Sequence, residues 1–156
     1  MIHRDLKITE SLAIMRYVAN KFAPAEFTGK GAHDKAIVDM VLSTLADIKL
    51  AATTHCYLSG DLEACKAIGF DRLSEVSNFL GDKKFFVGDY FTFADFFVFE
   101  QIEHFTFLTD GEILARYPNL GEFHKRVTQL PRFGEYYPSD KFMKRPFHSK
   151  FAKINN

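Results

Sequence analysis

The feature that most constrains this chain is a strong helix start followed by a run with almost no polar face. Thr92 and Asp95 have the spacing of a capping box, in which a hydroxyl and a carboxylate accept hydrogen bonds from the free N–H groups of a helix's first turn. Residues 96–99 read Phe-Phe-Val-Phe and are apolar on nearly every side. Other elements must bury such a helix. We therefore predict that it lies at the centre of the fold.

The other periodic segments are helical as well. Apolar residues recur at helical spacing in residues 34–57, without Gly or Pro, and again in residues 61–80. A shorter helix is predicted over Ser11–Phe22, since Pro24 ends it, and residues 6–8 alternate like a short strand. Further short helices are predicted near residues 112–116 and 119–130. The sequence thus predicts a mainly all-α bundle with a strand fragment at its front.

Charge and hydropathy argue against two classes of partner. The chain has 20 Lys plus Arg and 20 Asp plus Glu, so its formal net charge is zero. That balance gives no electrostatic reason to expect nucleic acid or an anionic membrane as the main partner. The most apolar run, residues 91–99, is interrupted by Asp95 and is too short to span a bilayer. We expect neither a nucleic-acid nor a membrane partner.

The cysteines and histidines carry no recognisable motif along the chain. Cys56 and Cys65 lack CxxC spacing, and the first residues lack the apolar stretch of a signal peptide, so we expect a reducing cytoplasmic compartment. No metal-ligand spacing, Ser-His-Asp signature or Cys-His signature appears, so we expect no metal and no cofactor. The six histidines are His3, His33, His55, His104, His124 and His148.

Five stretches of the sequence carry a family resemblance. They are residues 7–17, residues 38–39 with 47 and 56–57, and residues 91–96, 117–120 and 145–152. Taken together they resemble the mu class of cytosolic glutathione transferases. The capping-box segment alone is shared by many proteins of that fold, whereas the Cys-Tyr pair at the end of the first long helix and the C-terminal tail indicate the mu class.

The resemblance implies an organisation along the chain. Residues 1–24 would be the last strand and helix of a thioredoxin-like domain, residues 25–31 a linker, and residues 32–156 the helical domain of the family. The family's earlier strands, with the catalytic tyrosine, find no counterpart in this sequence. Tyr17 cannot replace that tyrosine, because it lies on the helix after those strands. We expect a chain that lacks most of the thioredoxin-like half.

The resemblance also implies residues that bind glutathione. Glu10 and Ser11, at a helix start, would hold the γ-glutamyl end, with the serine at the carboxylate and the glutamate facing the ammonium. Ordinary helix capping is the alternative for this pair. Asp47 would reach the γ-glutamyl amine bound in a neighbouring subunit, and its alternative is a solvated carboxylate on the flank of a helix.

On the electrophile side, Tyr57 matches the mu-class tyrosine that donates to the electrophile or product, and would be an auxiliary catalytic residue. A tyrosine that merely covers a helix end is the alternative. The positions that match the family's hydrophobic substrate pocket are Ala46, Leu50, Thr53, His148 and Ser149.

The family reaction implied is conjugation of the glutathione thiolate to a hydrophobic electrophile, in a dimer, with glutathione as co-substrate. That reaction needs a donor near the sulfur to lower the thiol pKa. Because the tyrosine that serves the family is missing, we expect this chain alone to be inactive. The alternative from another class is a non-catalytic assembly module. In either case, the helix faces of residues 11–22 and 34–57 should expose an apolar patch.

Overall fold

The computed structural model describes residues 1–143 and 148–155, and within them the chain is a helical bundle preceded by a small hairpin. The predicted all-α architecture is confirmed, as is a strand in residues 6–8. The elements are, in chain order, β1 (Ile2–His3), β2 (Leu6–Lys7), α1 (Ser11–Phe22), a 3-10 turn (Ala25–Thr28), α2 (Ala32–Thr54), a π-turn (His55–Ser59), α3 (Leu62–Leu80), α4 (Phe93–Leu108), α5 (Glu112–Arg116), α6 (Pro118–Thr128), α7 (Phe133–Tyr136) and a second 3-10 turn (Lys153–Asn155).

Helix α4 is the centre of the bundle, as its sequence predicts. It packs against α1, α2, α3, α5 and α6, and most of its side chains are buried. At its start, the Asp95 carboxylate accepts hydrogen bonds from the Thr92 N–H at 2.7 Å, the Thr92 hydroxyl at 3.0 Å and the Phe86 N–H at 3.0 Å. The capping box therefore also fastens the loop before the helix to the core.

Helix α2 presents one apolar face to that core. Its length is close to the predicted 34–57, but the α-helix ends at Thr54 and the chain continues as the π-turn. The wider turn is closed by Gly60, whose left-handed backbone (φ 72°) suits a glycine. The buried residues of the helix are Val38, Val41, Leu42, Leu45, Ile48 and Ala52.

The front of the molecule departs from the sequence pattern in burial. The helical periodicity of α1 places Val18 and Phe22 on its apolar face, yet 43% and 65% of these residues are exposed. Phe22 lines a groove of about 320 Å³ together with Met15, Phe27 and Phe96. Periodicity identifies an apolar face, but it does not say whether anything covers it. Val18 and Phe22 therefore leave apolar surface exposed on α1.

A second departure concerns Leu62, which opens α3 and is 38% exposed although its spacing predicts an inward side chain. The residue lies in the first turn of the helix, beyond the reach of the core. Among the described residues, no helix is both long enough and apolar enough to cross a membrane.

Candidate functional site

The site is organised around the π-turn at the end of α2. The N–H of Gly60 donates to the His55 carbonyl at 2.8 Å and closes this turn. A Cβ added at Gly60 would lie 3.1 Å from the backbone of Lys153, so the C-terminal segment passes directly over the turn. The π-turn buries Cys56 completely and leaves Tyr57 half-buried at the rim. Two consecutive side chains thus face two different environments.

Tyr57 is held by the tail. The backbone N–H of Ser149 donates to the Tyr57 hydroxyl at 2.9 Å, and the His148 ring meets the Tyr57 ring edge-on with centroids 5.8 Å apart. Hydrogen bonds from the Ser149 side chain and N–H lower the pKa of Tyr57, because they stabilise the phenolate. The Tyr57 oxygen accepts the bond from the Ser149 N–H, which does not use the phenolic proton. The structure therefore brings together three residues that the sequence predicts for one pocket.

The remaining substrate positions lie along α2. Ala46, Leu50 and Thr53 are spaced by four and three residues and so share one side of that helix, which leads toward Tyr57. Leu50 is 67% exposed, while Ala46 and Thr53 are half-buried. The Thr53 hydroxyl donates to the Lys49 carbonyl at 2.7 Å and so presents its methyl group rather than its donor. This side of α2 offers mainly apolar contacts.

The predicted glutathione residues at the start of α1 are exposed. Helix α1 begins at Ser11, and Glu10 precedes it with a positive φ of 63°, an unusual conformation for a residue with a side chain. The Glu10 side chain makes no capping hydrogen bond. Glu10 therefore occupies the N-cap position through its backbone carbonyl, which accepts from the Ile14 N–H at 2.9 Å, and the role of the Glu10–Ser11 pair stays a prediction. Backbone strain of this kind is a feature that recurs at binding sites.

Asp47 lies exposed on α2. Within residues 1–143 and 148–155, no hydrogen bond, ion pair or ring contact joins Glu10, Ser11 or Asp47 to Tyr57. The tail stretch that indicates the mu class begins in residues 145–147, which lie outside the described residues. The two halves of the predicted site are thus separate groups in this structure.

A buried cluster beneath Tyr57 was not predicted from the sequence. The Nε2 atoms of His104 and His148 are 3.0 Å apart, and the Sγ atoms of Cys56 and Cys65 are also 3.0 Å apart. Burial raises the pKa of Cys56 to about 12 and also raises that of Cys65, while burial lowers the pKa of His148. Burial thus favours the neutral forms of Cys56, Cys65 and His148. These residues come from separate elements, so no spacing along the chain reveals the cluster.

Comparison with known proteins identifies the family. A family model described as "Glutathione S-transferase, C-terminal domain" matches residues 70–140. Glutathione S-transferase 2 of Gallus gallus is 34% identical over 161 residues, which cover 100% of this chain and 70% of that protein. The class-mu 26 kDa isozyme 7 of Fasciola hepatica is 32% identical over 149 residues, which cover 92% of this chain and 65% of the relative.

Solved structures agree with the sequence comparison. The Pi-class glutathione S-transferase of Onchocerca volvulus matches with a TM-score of 0.72 and 25% identity, covering 85% of this chain and 65% of that one. The fold is therefore the helical half of a two-domain transferase, with a minimal remnant of the thioredoxin-like half. The chain belongs to the glutathione S-transferase family, and its relatives include proteins of class mu. It spans about two thirds of the length of these curated relatives.

Proposed function

We propose that this chain supplies the electrophile side of a glutathione transferase site, in which the glutathione thiolate attacks a small hydrophobic electrophile. Tyr57 donates its proton to the electrophile or to the developing product, and the apolar side of α2 holds the carbon skeleton. His148 and Ser149 close the pocket from the tail. Family membership supports the reaction type, and the physiological electrophile is left open.

The observation that carries this proposal is the hydrogen bond from Ser149 to Tyr57 at 2.9 Å. A phenol that accepts hydrogen bonds is a stronger acid and hence a better donor to a substrate that gains negative charge. A tyrosine that merely covered a helix end would need no such partner. The half-buried position also leaves the hydroxyl accessible from one side.

We further propose that the residues that bind glutathione lie at the start of α1. Residues 1–24 act as the end of a thioredoxin-like domain, residues 25–31 as a linker and residues 32–156 as the helical domain. Ser11 and the free N–H groups of the first turn hold the γ-glutamyl carboxylate, and Glu10 faces the ammonium. Asp47 acts on a glutathione molecule in the second subunit of a homodimer. Such a protein would operate in the cytoplasm, where glutathione is plentiful.

The proposal is tested by completing the site. A class-mu thioredoxin-like half is fused ahead of Asp5, and conjugation of glutathione to an aryl halide is followed spectroscopically. We expect turnover from the fusion and none above the uncatalysed rate from residues 1–156 alone, because positioned donors of this kind contribute a hundredfold or more to a rate. A fusion that folds and binds glutathione, yet conjugates no electrophile, would contradict the proposed function.

An assembly module is the second candidate, and the exposed groove on α1 favours it. Phe22 is 65% exposed beside Val18 at 43%, which is apolar surface that another element or chain would bury. Sedimentation of residues 1–156 across a concentration series measures self-association. The replacement Phe22→Glu should reduce it, whereas Leu58→Glu, at an equally exposed residue on the π-turn, should not. Stable association together with an inactive fusion would favour the module.

A further inference from the structure

The buried cluster beneath Tyr57 points to a metal site, and this inference does not depend on the proposed function. We propose that Cys56, His104 and His148 bind one Zn²⁺ ion, with a fourth position open to water. The proposal departs from the expectation of no metal, which rested on histidine spacing along the chain. Spacing detects ligands on one element, whereas these three lie on the π-turn, on α4 and on the tail.

The ligand atoms already have nearly the separations that a tetrahedral ion requires. All three lie within 4.8 Å of one another, and the two Nε2 atoms are 3.0 Å apart. From zinc–nitrogen and zinc–sulfur bond lengths, two nitrogens on one tetrahedral Zn²⁺ are about 3.3 Å apart and a nitrogen and a sulfur about 3.6 Å. The two imidazoles therefore need a small outward shift to admit the ion, and the Cys56 sulfur an inward shift of at most about 1.2 Å.

The chemistry of the ligand set selects the metal. Two imidazole nitrogens and one thiolate sulfur suit Zn²⁺, while Mg²⁺ and Ca²⁺ prefer carboxylate and carbonyl oxygens, which this set does not contain. The three side chains are 0%, 4% and 5% exposed, in the order Cys56, His104 and His148. Burial keeps bulk water from competing with these three side chains for the ion, and so favours their direct coordination.

Cys65 acts on the ligand rather than on the ion. Its thiol donates to the Ala52 carbonyl at 3.5 Å, and its Sγ lies 3.0 Å from the Cys56 sulfur, so the same proton can turn to a bound Cys56 thiolate. Outer partners of this kind orient a ligand and tune its basicity.

Zinc at this place would fasten the tail to the bundle. His148 directly precedes Ser149, whose N–H holds the Tyr57 hydroxyl, and the nearby Ala152 is fully buried. An ion bound to His148 would therefore fix the partner of Tyr57 in place. Removing the ion should loosen the tail, which gives a readout separate from metal affinity.

The experiment titrates the whole, metal-free chain with Co²⁺ in the presence of a non-chelating phosphine reductant. We expect one equivalent of Co²⁺ to produce the absorption of a tetrahedral ion with a thiolate ligand, and Zn²⁺ to displace it, because zinc binds such sites more tightly. His148→Gln should weaken Co²⁺ binding more than about a hundredfold. Mutation of a residue that only hydrogen-bonds to a metal ligand already lowers metal affinity by roughly 10- to 100-fold, and His148 is itself a ligand. Cys56→Ser should remove the thiolate band.

A control variant makes the result specific. His55→Gln, which changes the histidine next to Cys56 in the chain, should bind Co²⁺ with nearly wild-type affinity. Because His148 lies on the tail, His148→Gln should fold even if Cys56→Ser does not, and circular dichroism verifies this. Folded, reduced wild-type chain that shows no thiolate band would overturn the proposal. So would unchanged binding in His148→Gln, or a Cys56–Cys65 disulfide that survives the reductant.

Discussion

A methyl group added at Gly69 would lie 2.4 Å from the Cδ1 atom of Phe105. Gly69 is in the middle of α3 and Phe105 is on α4, and both are buried. Glycine weakens a helix interior by up to about 1 kcal/mol relative to alanine, so its presence here needs a reason. The reason is the close approach of the two helices at the centre of the bundle.

Gly69→Ala should therefore destabilise the protein by about 1–2 kcal/mol. Overpacking a core costs about 1–3 kcal/mol, and the gain in helix propensity offsets part of it. The matched control is Gly121→Ala in α6, where the nearest atom to an added Cβ is 3.8 Å away and contact is ordinary. That change should be neutral or stabilising. Denaturant unfolding measures the stability of both variants. Equal midpoints for the two would argue against a close approach of α3 and α4 at Gly69.

The Asp95 carboxyl should make stability depend on pH in a defined direction. Burial raises its pKa from 3.8 to about 6, despite the hydrogen bonds from Phe86 and Thr92 that favour the ionised form. Between pH 4 and pH 6 the Asp95 carboxyl keeps its proton in the folded state but has lost it in the unfolded state. The contribution of this group to stability therefore falls as pH rises from about 4 to 6.

Asp95→Asn isolates that contribution, because asparagine keeps the shape of the side chain but does not titrate. The free energy of unfolding of the wild type minus that of the variant should be larger at pH 4 than at pH 7, by up to about 3 kcal/mol. Chemical denaturation at both pH values measures it. A difference that instead grows toward pH 7 would mean that the hydrogen bonds outweigh burial.

Tyr57→Phe should slow conjugation in the fused protein roughly ten- to a hundredfold, since general-acid assistance contributes about a hundredfold or more. The loss should fall on kcat rather than on the KM for glutathione, because Tyr57 faces the electrophile. Its pKa is lowered, so activity that depends on the protonated phenol should decline at a lower alkaline pH than an unperturbed tyrosine would give.

The control for that variant is Tyr17→Phe, which removes a hydroxyl 2.6 Å from His3 Nδ1 at the front of the molecule. It should leave kcat unchanged. A wild-type pH profile in Tyr57→Phe would place the essential donor elsewhere.

Ser11→Ala should weaken glutathione binding by the fusion roughly ten- to a hundredfold, because a hydrogen bond to a charged group contributes about 1.5–3 kcal/mol. Asp47→Ala should have a milder effect, and only in the dimer. Thr92→Ala is the stability control, since it alters the capping box without touching the glutathione residues. Calorimetry measures the affinities. Unchanged affinity in Ser11→Ala would show that the role inferred from the family does not apply to this residue.

Some of this protein could be predicted from sequence because the responsible interactions are local. Helices α1, α2 and α3 follow from apolar spacing, and the start of α4 follows from Thr92 and Asp95, since both signals act within a few turns of one helix. The family resemblance assigns Tyr57 and Ser149 to the same side of a site, and the Ser149 N–H donates to the Tyr57 hydroxyl although the residues lie 92 positions apart. Their role in a substrate pocket stays a prediction.

The tertiary structure decided what local patterns do not encode. Whether Val18 and Phe22 are covered depends on which elements pack against α1, and the end of α2 depends on the tail that crosses its π-turn. The meeting of Cys56, His104 and His148 requires three distant elements to converge. Periodicity determines which face of a helix is apolar, because side-chain direction is local. Only packing determines what lies opposite that face.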